Sequence, residues 1–190
     1  IDVEIDRERA LELITDAANL GLPEAIKKLI DMYSNGDGVS MNLEKALQWS
    51  EELGEYYLEE LGEKHPDSIK TLNNLAIIYQ RIGKIEKASN VLYNICLNAV
   101  VVFCYENIVT IELLSNLAYL DNLTGETDQA IEIYELIYGA SKKELGEFHS
   151  ITITILNNLA SCYVNKKQFD KAKKIYEDVY LIRCRIHGST

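Results

Sequence analysis

The word LNNLA occurs at Leu72–Ala76 and again at Leu156–Ala160, and a near copy, LSNLA, lies midway at Leu114–Ala118. The spacing is 42 residues both times. A fixed period of roughly 20–50 residues marks an array in which each unit is one supersecondary piece that can bury its apolar face only against a neighbour. That requirement constrains the fold more than any property of the whole chain. Three blocks align from Leu61: LGEKHPDSIKTLNNLAIIYQRIGKIEKA, FCYENIVTIELLSNLAYLDNLTGETDQA and LGEFHSITITILNNLASCYVNKKQFDKA. Positions 42 apart share a phase. Leu75, Leu117 and Leu159 share one, and Ala88, Ala130 and Ala172 share another.

Within the first block Leu72, Leu75, Ala76 and Tyr79 follow the i, i+3, i+4, i+7 rule of an amphipathic helix. Gly83 interrupts the pattern, and Ile85, Ala88, Leu92 and Ile95 resume it on a second helix. Each block therefore predicts a helix–turn–helix, with the small residues at the Ala76 and Ala88 phases letting paired helices approach closely. Two prolines and ten glycines in 190 residues suit such a chain, because helix interiors exclude both.

The two amides of LNNLA lie off the apolar stripe. At about 100° per residue Asn73 and Asn74 fall on the opposite side of the helix, together with Lys70, Ile77 and Arg81. The matching positions are Glu112, Ser115, Asn116 and Tyr119 in the second block and Thr154, Asn157, Asn158 and Ser161 in the third. If the units stack, these positions line one groove. A carboxamide offers donors and an acceptor at once, which suits contact with an extended peptide backbone. The competing reading is a polar ladder in which the amides bond only to neighbouring repeats.

LNNLA, a Tyr three residues later, a Gly, an Ala and the linker LGxxHP together resemble tetratricopeptide repeats of the kinesin light chain type over residues 61–186. The resemblance implies an all-α, right-handed helix-turn-helix repeat solenoid whose first helices line a concave groove. It also implies that Asn74, Asn116 and Asn158 bond the backbone of a bound peptide. The departures from the pattern are Asp121 in place of Tyr, Lys167 in place of Gly, Ser150 in place of Pro, and a second block that lacks the LG..H opening. The stretch AANLGLPEAIKKLIDMYSNGDGVSMNLEKALQWSEELG resembles a Sel-type repeat, a relative of the same fold. Domain organisation is accordingly read as a Sel-like segment over 1–60, beginning with the last helix of a preceding repeat. Residues 61–190 follow as three 42-residue repeats plus the start of a further unit, in one continuous solenoid of eight or nine helices. Ile1 already reads as mid-helix, so the chain is expected to be a piece of a longer protein.

Several function classes are disfavoured. Net charge is −11, and residues 1–60 carry fifteen acids against five bases, so no basic stripe exists to meet phosphates and nucleic acid is not an expected partner. No apolar run approaches the ~20 residues that cross a bilayer, so a membrane is not expected either. Cys96, Cys104, Cys162 and Cys184 form no CxxC pair, and reduced thiols fit a cytoplasmic setting. His65 and His149 share a phase, but at linker ends they read as caps or packing residues. No metal-ligand spacing, nucleophile triad or phosphate loop is legible, so the reading is a non-enzyme without cofactor or metal.

The function expected is a protein–protein interaction scaffold that binds a peptide or short helix in the concave groove. Asn74, Asn116 and Asn158 would hold its backbone, and Lys70, Asn73, Ile77, Arg81, Glu112, Tyr119, Asn157 and Ser161 would set side-chain preference. A structural spacer that self-associates end to end, and a module that restrains a catalytic or signalling domain elsewhere in the parent chain, are the alternatives. A carboxylate clamp is not expected, because Lys70 and Arg81 share the groove with Glu112 and neutral amides.

Overall fold

A computed structural model describes the backbone of residues 3–188 and the side chains of residues 7–186. Among the described residues the chain forms nine α-helices and no strand. They are α1 (Val3–Asn19), α2 (Pro23–Asn35), α3 (Leu43–Leu61), α4 (Pro66–Arg81), α5 (Ile85–Phe103), α6 (Ile108–Thr124), α7 (Thr127–Glu144), α8 (Ser150–Asn165) and α9 (Phe169–His187). Nine is the upper of the eight or nine helices expected from the sequence. The further unit expected to start at His187 does not start there: His187 is the last residue of α9, and residues 189 and 190 lie outside the described residues. By contacts the chain divides into unit 1, Ile1–Val91, and unit 2, Leu92–Thr190. In unit 1, α2 packs on α1 and α3, and α3 packs on α4. In unit 2, α6 packs on α7, α7 on α8 and α8 on α9, with α6 also touching α8.

The repeat phases explain this packing. Ala76, Ala118 and Ala160 are buried on the first helices, and Ala88, Ala130 and Ala172 on the second. In unit 2 Ala118, Ala130 and Ala172 sit among Ile111, Tyr134, Ile137, Ile155 and Leu159 in one core cluster. A hydroxyl at a further phase anchors the first helices. Ser68 Oγ donates to the Tyr57 carbonyl at 3.0 Å, and Thr110 Oγ1 to the Ala99 carbonyl at 3.4 Å. The third member, Thr152, is fully buried, and its Oγ1 has no partner among the described residues.

Helix starts are set by side-chain acceptors that satisfy orphan backbone amides. Asn42 Oδ1 accepts from Lys45 N at 3.0 Å. His65 and His149 accept through Nδ1 from the amides of Asp67 and Ile151, so both histidines are caps. Asn107 holds the same phase in the second block and does the same work, accepting from Val109 N at 2.9 Å. The block that lacks the LG..H opening in sequence thus keeps its cap. The turns show the opposite behaviour. Gly62 and Gly146 have positive φ, and Cys104 between them adopts φ 62°. Gly83 and Gly125 have positive φ, and Lys167 at their phase adopts φ 57°. The backbone keeps a left-handed residue where the sequence has lost the glycine suited to it.

One side-chain set recurs between successive repeats. Tyr79 on α4 donates its hydroxyl to Glu51 Oε1 on α3 at 2.6 Å, and Lys87 Nζ lies 5.4 Å from its ring centroid. Tyr163 on α8 donates to Glu135 Oε1 on α7 at 2.7 Å, with Lys171 Nζ 4.9 Å from its ring. Burial, then the neighbouring carboxylate, pushes both phenols up to about 12. The intermediate phases hold Tyr93, Asp121 and Gln129, so acid and phenol trade places and the lysine is gone. Burial and nearby Glu126 raise the Asp121 carboxyl, while Tyr93 is exposed.

Candidate functional site

The residues expected to bind fall in both units. Asn74 and its neighbours on α4 belong to unit 1; Asn116 on α6 and Asn158 on α8 belong to unit 2.

In unit 1, α2 and α4 flank a cleft of about 300 Å³. Lys27, Ile30 and Asp31 line it from α2, and Asp67, Lys70, Thr71 and Asn74 from α4. Ser50 and Leu53 of α3, both buried, form its floor. Lys27 is already engaged: it donates to Glu24 at 2.7 Å and lies 5.3 Å from the Tyr57 ring, and these partners, Glu24 first, raise its pKa. Among the described residues Asp31, Lys70 and Asn74 have no side-chain hydrogen bond or ion pair. The structure thus brings together two residues expected from sequence, Lys70 and Asn74, and adds α2 groups that sequence reasoning did not select. Asn73 is half-buried beside them and Ile77 is exposed one turn further on. Arg81 is committed elsewhere. One of its guanidinium nitrogens donates to the Ser34 carbonyl at 2.8 Å and lies 3.7 Å from Met41 Sδ. It therefore satisfies an end carbonyl of α2.

Unit 2 differs. Glu112 and Tyr119 are exposed on α6, with Asn116 half-buried between them. On α8, Asn157 Nδ2 donates to the Ile153 carbonyl at 2.9 Å, one turn back in its own helix, and Ser161 is half-buried. The Asn158 carboxamide lies near the hydroxyl of Tyr134 on α7 and opposes the rise in its pKa. That hydroxyl donates to the Ser115 carbonyl on α6 at 3.2 Å. Burial raises the Tyr134 pKa. Tyr134 thus ties α7 to α6, with Asn158 of α8 beside its hydroxyl. The signal for this arrangement was a Tyr on the apolar stripe of a second helix, whose buried hydroxyl needs partners.

Among the described residues no group of three His, Cys, Asp or Glu side chains is placed to hold a metal ion. No described helix is long and apolar enough to cross a membrane.

Residues 109–184 match the family model described as tetratricopeptide repeat. No curated protein sequence matches the chain. Among solved structures, the chain is similar to the nearly identical TPR-like repeats of a candidate kinesin light chain from Podosopora anserina, in a single-substitution form. The TM-score is 0.70 at 16% identity, over 100% of both chains. It is also similar to BtubC (BKLC) from P. vanneervenii, with a TM-score of 0.75 at 21% identity, over 96% of this chain and 72% of the other. The fold is that of a tetratricopeptide-repeat solenoid, and tetratricopeptide repeats serve generally as protein–protein interaction scaffolds.

Proposed function

We propose that the chain is a non-catalytic scaffold that binds a peptide of a partner protein, with its principal contact in the α2–α4 cleft. One observation carries this reading. Three polar groups of different kinds, the Asp31 carboxylate, the Lys70 ammonium and the Asn74 carboxamide, line one cleft without a partner among the described residues. Asn74 offers a donor and an acceptor to a peptide backbone, while Lys70 and Asp31 select side chains of opposite sign. In unit 2, Glu112 and Tyr119 remain as accessory contacts.

Selection of a random peptide library on the 190-residue chain supplies the probe. Asn74→Ala should leave stability within ~0.5 kcal/mol and cost the selected peptides ~0.5–1.5 kcal/mol of affinity. Tyr134→Phe should lower stability by about 1 kcal/mol, because the Ser115 carbonyl loses its hydroxyl donor. Selected peptides that bind Asn74→Ala and Lys70→Ala as well as the parent chain would overturn the assignment.

A further inference from the structure

Helix α5 departs from its counterparts one period before and after it. The three helices α3, α5 and α7 are in register through Ala46, Ala88 and Ala130, all fully buried. On the side of the helix opposite that alanine, three of four phases are charged in α3, as Glu51, Glu55 and Glu59. Three of the same four are charged in α7, as Glu135, Lys142 and Lys143. In α5 the four phases hold Tyr93, Leu97, Val100 and Val101, and no residue from Ala88 to Tyr105 is charged. All four side chains face water: Tyr93 is 59% exposed, Leu97 55% and Val101 72%. Tyr105, just past the helix, is exposed too. This stripe is not a misplaced core face, because Leu92, Ile95, Cys96 and Ala99 on the other side are buried. The helix has its packing face satisfied and carries a second apolar face where its counterparts carry charge. A contiguous exposed apolar patch of that kind marks an interaction surface.

We propose that this stripe is the contact through which two copies of the chain associate, with their α5 helices antiparallel about a two-fold axis. Shape, charge and area choose a second copy as the occupant. A two-fold contact sets residue i on j and j on i. With the axis at Leu97, the large Tyr93 of each copy meets the small Val101 of the other, four residues to either side, and Leu97 meets itself. The stripe is therefore complementary to its own image. Charge permits the pairing, since neither side brings a charged group to it. The whole stripe lies in unit 2, where residues 92–190 hold twelve acids and nine bases, while most of the net charge of −11 sits in residues 1–60. A partner of different sequence is chosen by charge pattern, and the neutral rim of Asn90 and Asn94 offers none. The stripe with Tyr105 presents on the order of 500 Å² per copy, so a dimer buries about 1,000 Å², the lower bound of specific interfaces. The association is accordingly weak and reversible.

Sedimentation velocity of the 190-residue chain over a rising concentration series tests this, with reductant present so that the exposed Cys104 does not link copies. A monomer–dimer equilibrium in the micromolar range is expected, and nothing larger than a dimer. Leu97→Glu and Leu97→Lys should each stay monomeric where the parent chain is half dimeric, because the axis sets each charge against its own copy. Circular dichroism and the urea midpoint should not change, as the side chain is exposed. Val101→Glu, at the most exposed of these positions, repeats the test if Leu97→Glu shifts the midpoint. Mixed one to one, the Leu97→Glu and Leu97→Lys chains should dimerise with each other. Added salt should leave association unchanged or strengthen it, since it screens the repulsion between acidic copies. Asn74→Ala in the α2–α4 cleft should have no effect. A chain that is monomeric at every concentration would overturn the proposal, leaving the stripe to another occupant. So would a dimer that survives Leu97→Glu, a mixture of the two variants that stays monomeric, an open-ended series of oligomers, or association weakened by salt.

Discussion

Exchanging the residues at positions 83 and 167 tests the repeat alignment through the backbone alone. The turn after α4 and the turn after α8 have the same geometry. Ile82 and Lys166 lie at φ −92° and −80°, and Gly83 and Lys167 follow at φ 81° and 57°. In each, the next amide returns to the helix at 2.8 Å, Lys84 N to the Tyr79 carbonyl and Gln168 N to the Tyr163 carbonyl. A left-handed conformation costs an L-residue about 1–2 kcal/mol. Glycine escapes that cost but gives up about 0.4–1 kcal/mol through its freer unfolded chain. The Lys167 side chain makes no hydrogen bond or ion pair among the described residues, so its removal costs nothing further. Lys167→Gly should therefore gain about 0.5–1 kcal/mol, the difference between those two effects. A Cβ at Gly83 would meet nothing within 4 Å, so Gly83→Lys should lose a similar amount without steric penalty. Urea unfolding followed by circular dichroism reads both as opposite shifts of midpoint at constant slope. A lower midpoint for Lys167→Gly, or an unchanged one for Gly83→Lys, would show that left-handed strain does not set the energy of these turns.

The cap at His149 gives a second expectation. His149→Ala should cost ~1 kcal/mol, and His149→Asn should be nearly neutral because Asn107 already performs that role; thermal melts distinguish them. Alkali should act through Tyr79 and Tyr163, which hold their protons up to about 12 in the fold and titrate near 10 when unfolded. Since folding raises their pKa, their stabilisation is complete below about pH 10 and is lost as pH rises towards about 12. Urea midpoints should fall across that window, and fall less in the Tyr79→Phe, Tyr163→Phe double variant. Ala130 is fully buried where α7 meets its neighbours, so Ala130→Leu should cost ~1–3 kcal/mol by overpacking, read as a lower urea midpoint.

The helices and their pairing were legible because a 42-residue period repeats both the apolar stripe and the small residues that permit close approach. Caps were legible where the residue type was familiar. His65 and His149 were read as caps or packing residues at linker ends, whereas Asn107 escaped notice because its block had lost the surrounding LG..H. The side-chain ties were not read at all. Glu51–Tyr79 and Glu135–Tyr163 each span 28 residues, an offset at which no helix rule looks. They could have been found by asking which acids and phenols recur together one or two periods apart. Of the amides expected on the groove, Asn74 is exposed and Asn73, Asn116, Asn157 and Asn158 are half-buried. Periodicity could not show that Tyr134 reaches Ser115 or that Arg81 reaches Ser34, because each partner lies on another helix.

The trade of Tyr93 and Asp121 gives the array an uneven resistance to opening. Where Tyr163 bonds Glu135 beneath Lys171, separating α8 from α7 breaks a charge-assisted hydrogen bond and lifts a lysine off a ring. Where α6 follows α5, the seam carries instead a carboxyl that burial and Glu126 push toward its neutral form, near the buried Cys96 thiol, which is itself raised to about 12. Opening that seam rehydrates an acid that gains by reaching water. Backbone amides of α6 should accordingly exchange with solvent before those of α8. A chain built from near-identical words thus carries a preferred place to come apart, written in one exchanged pair of side chains.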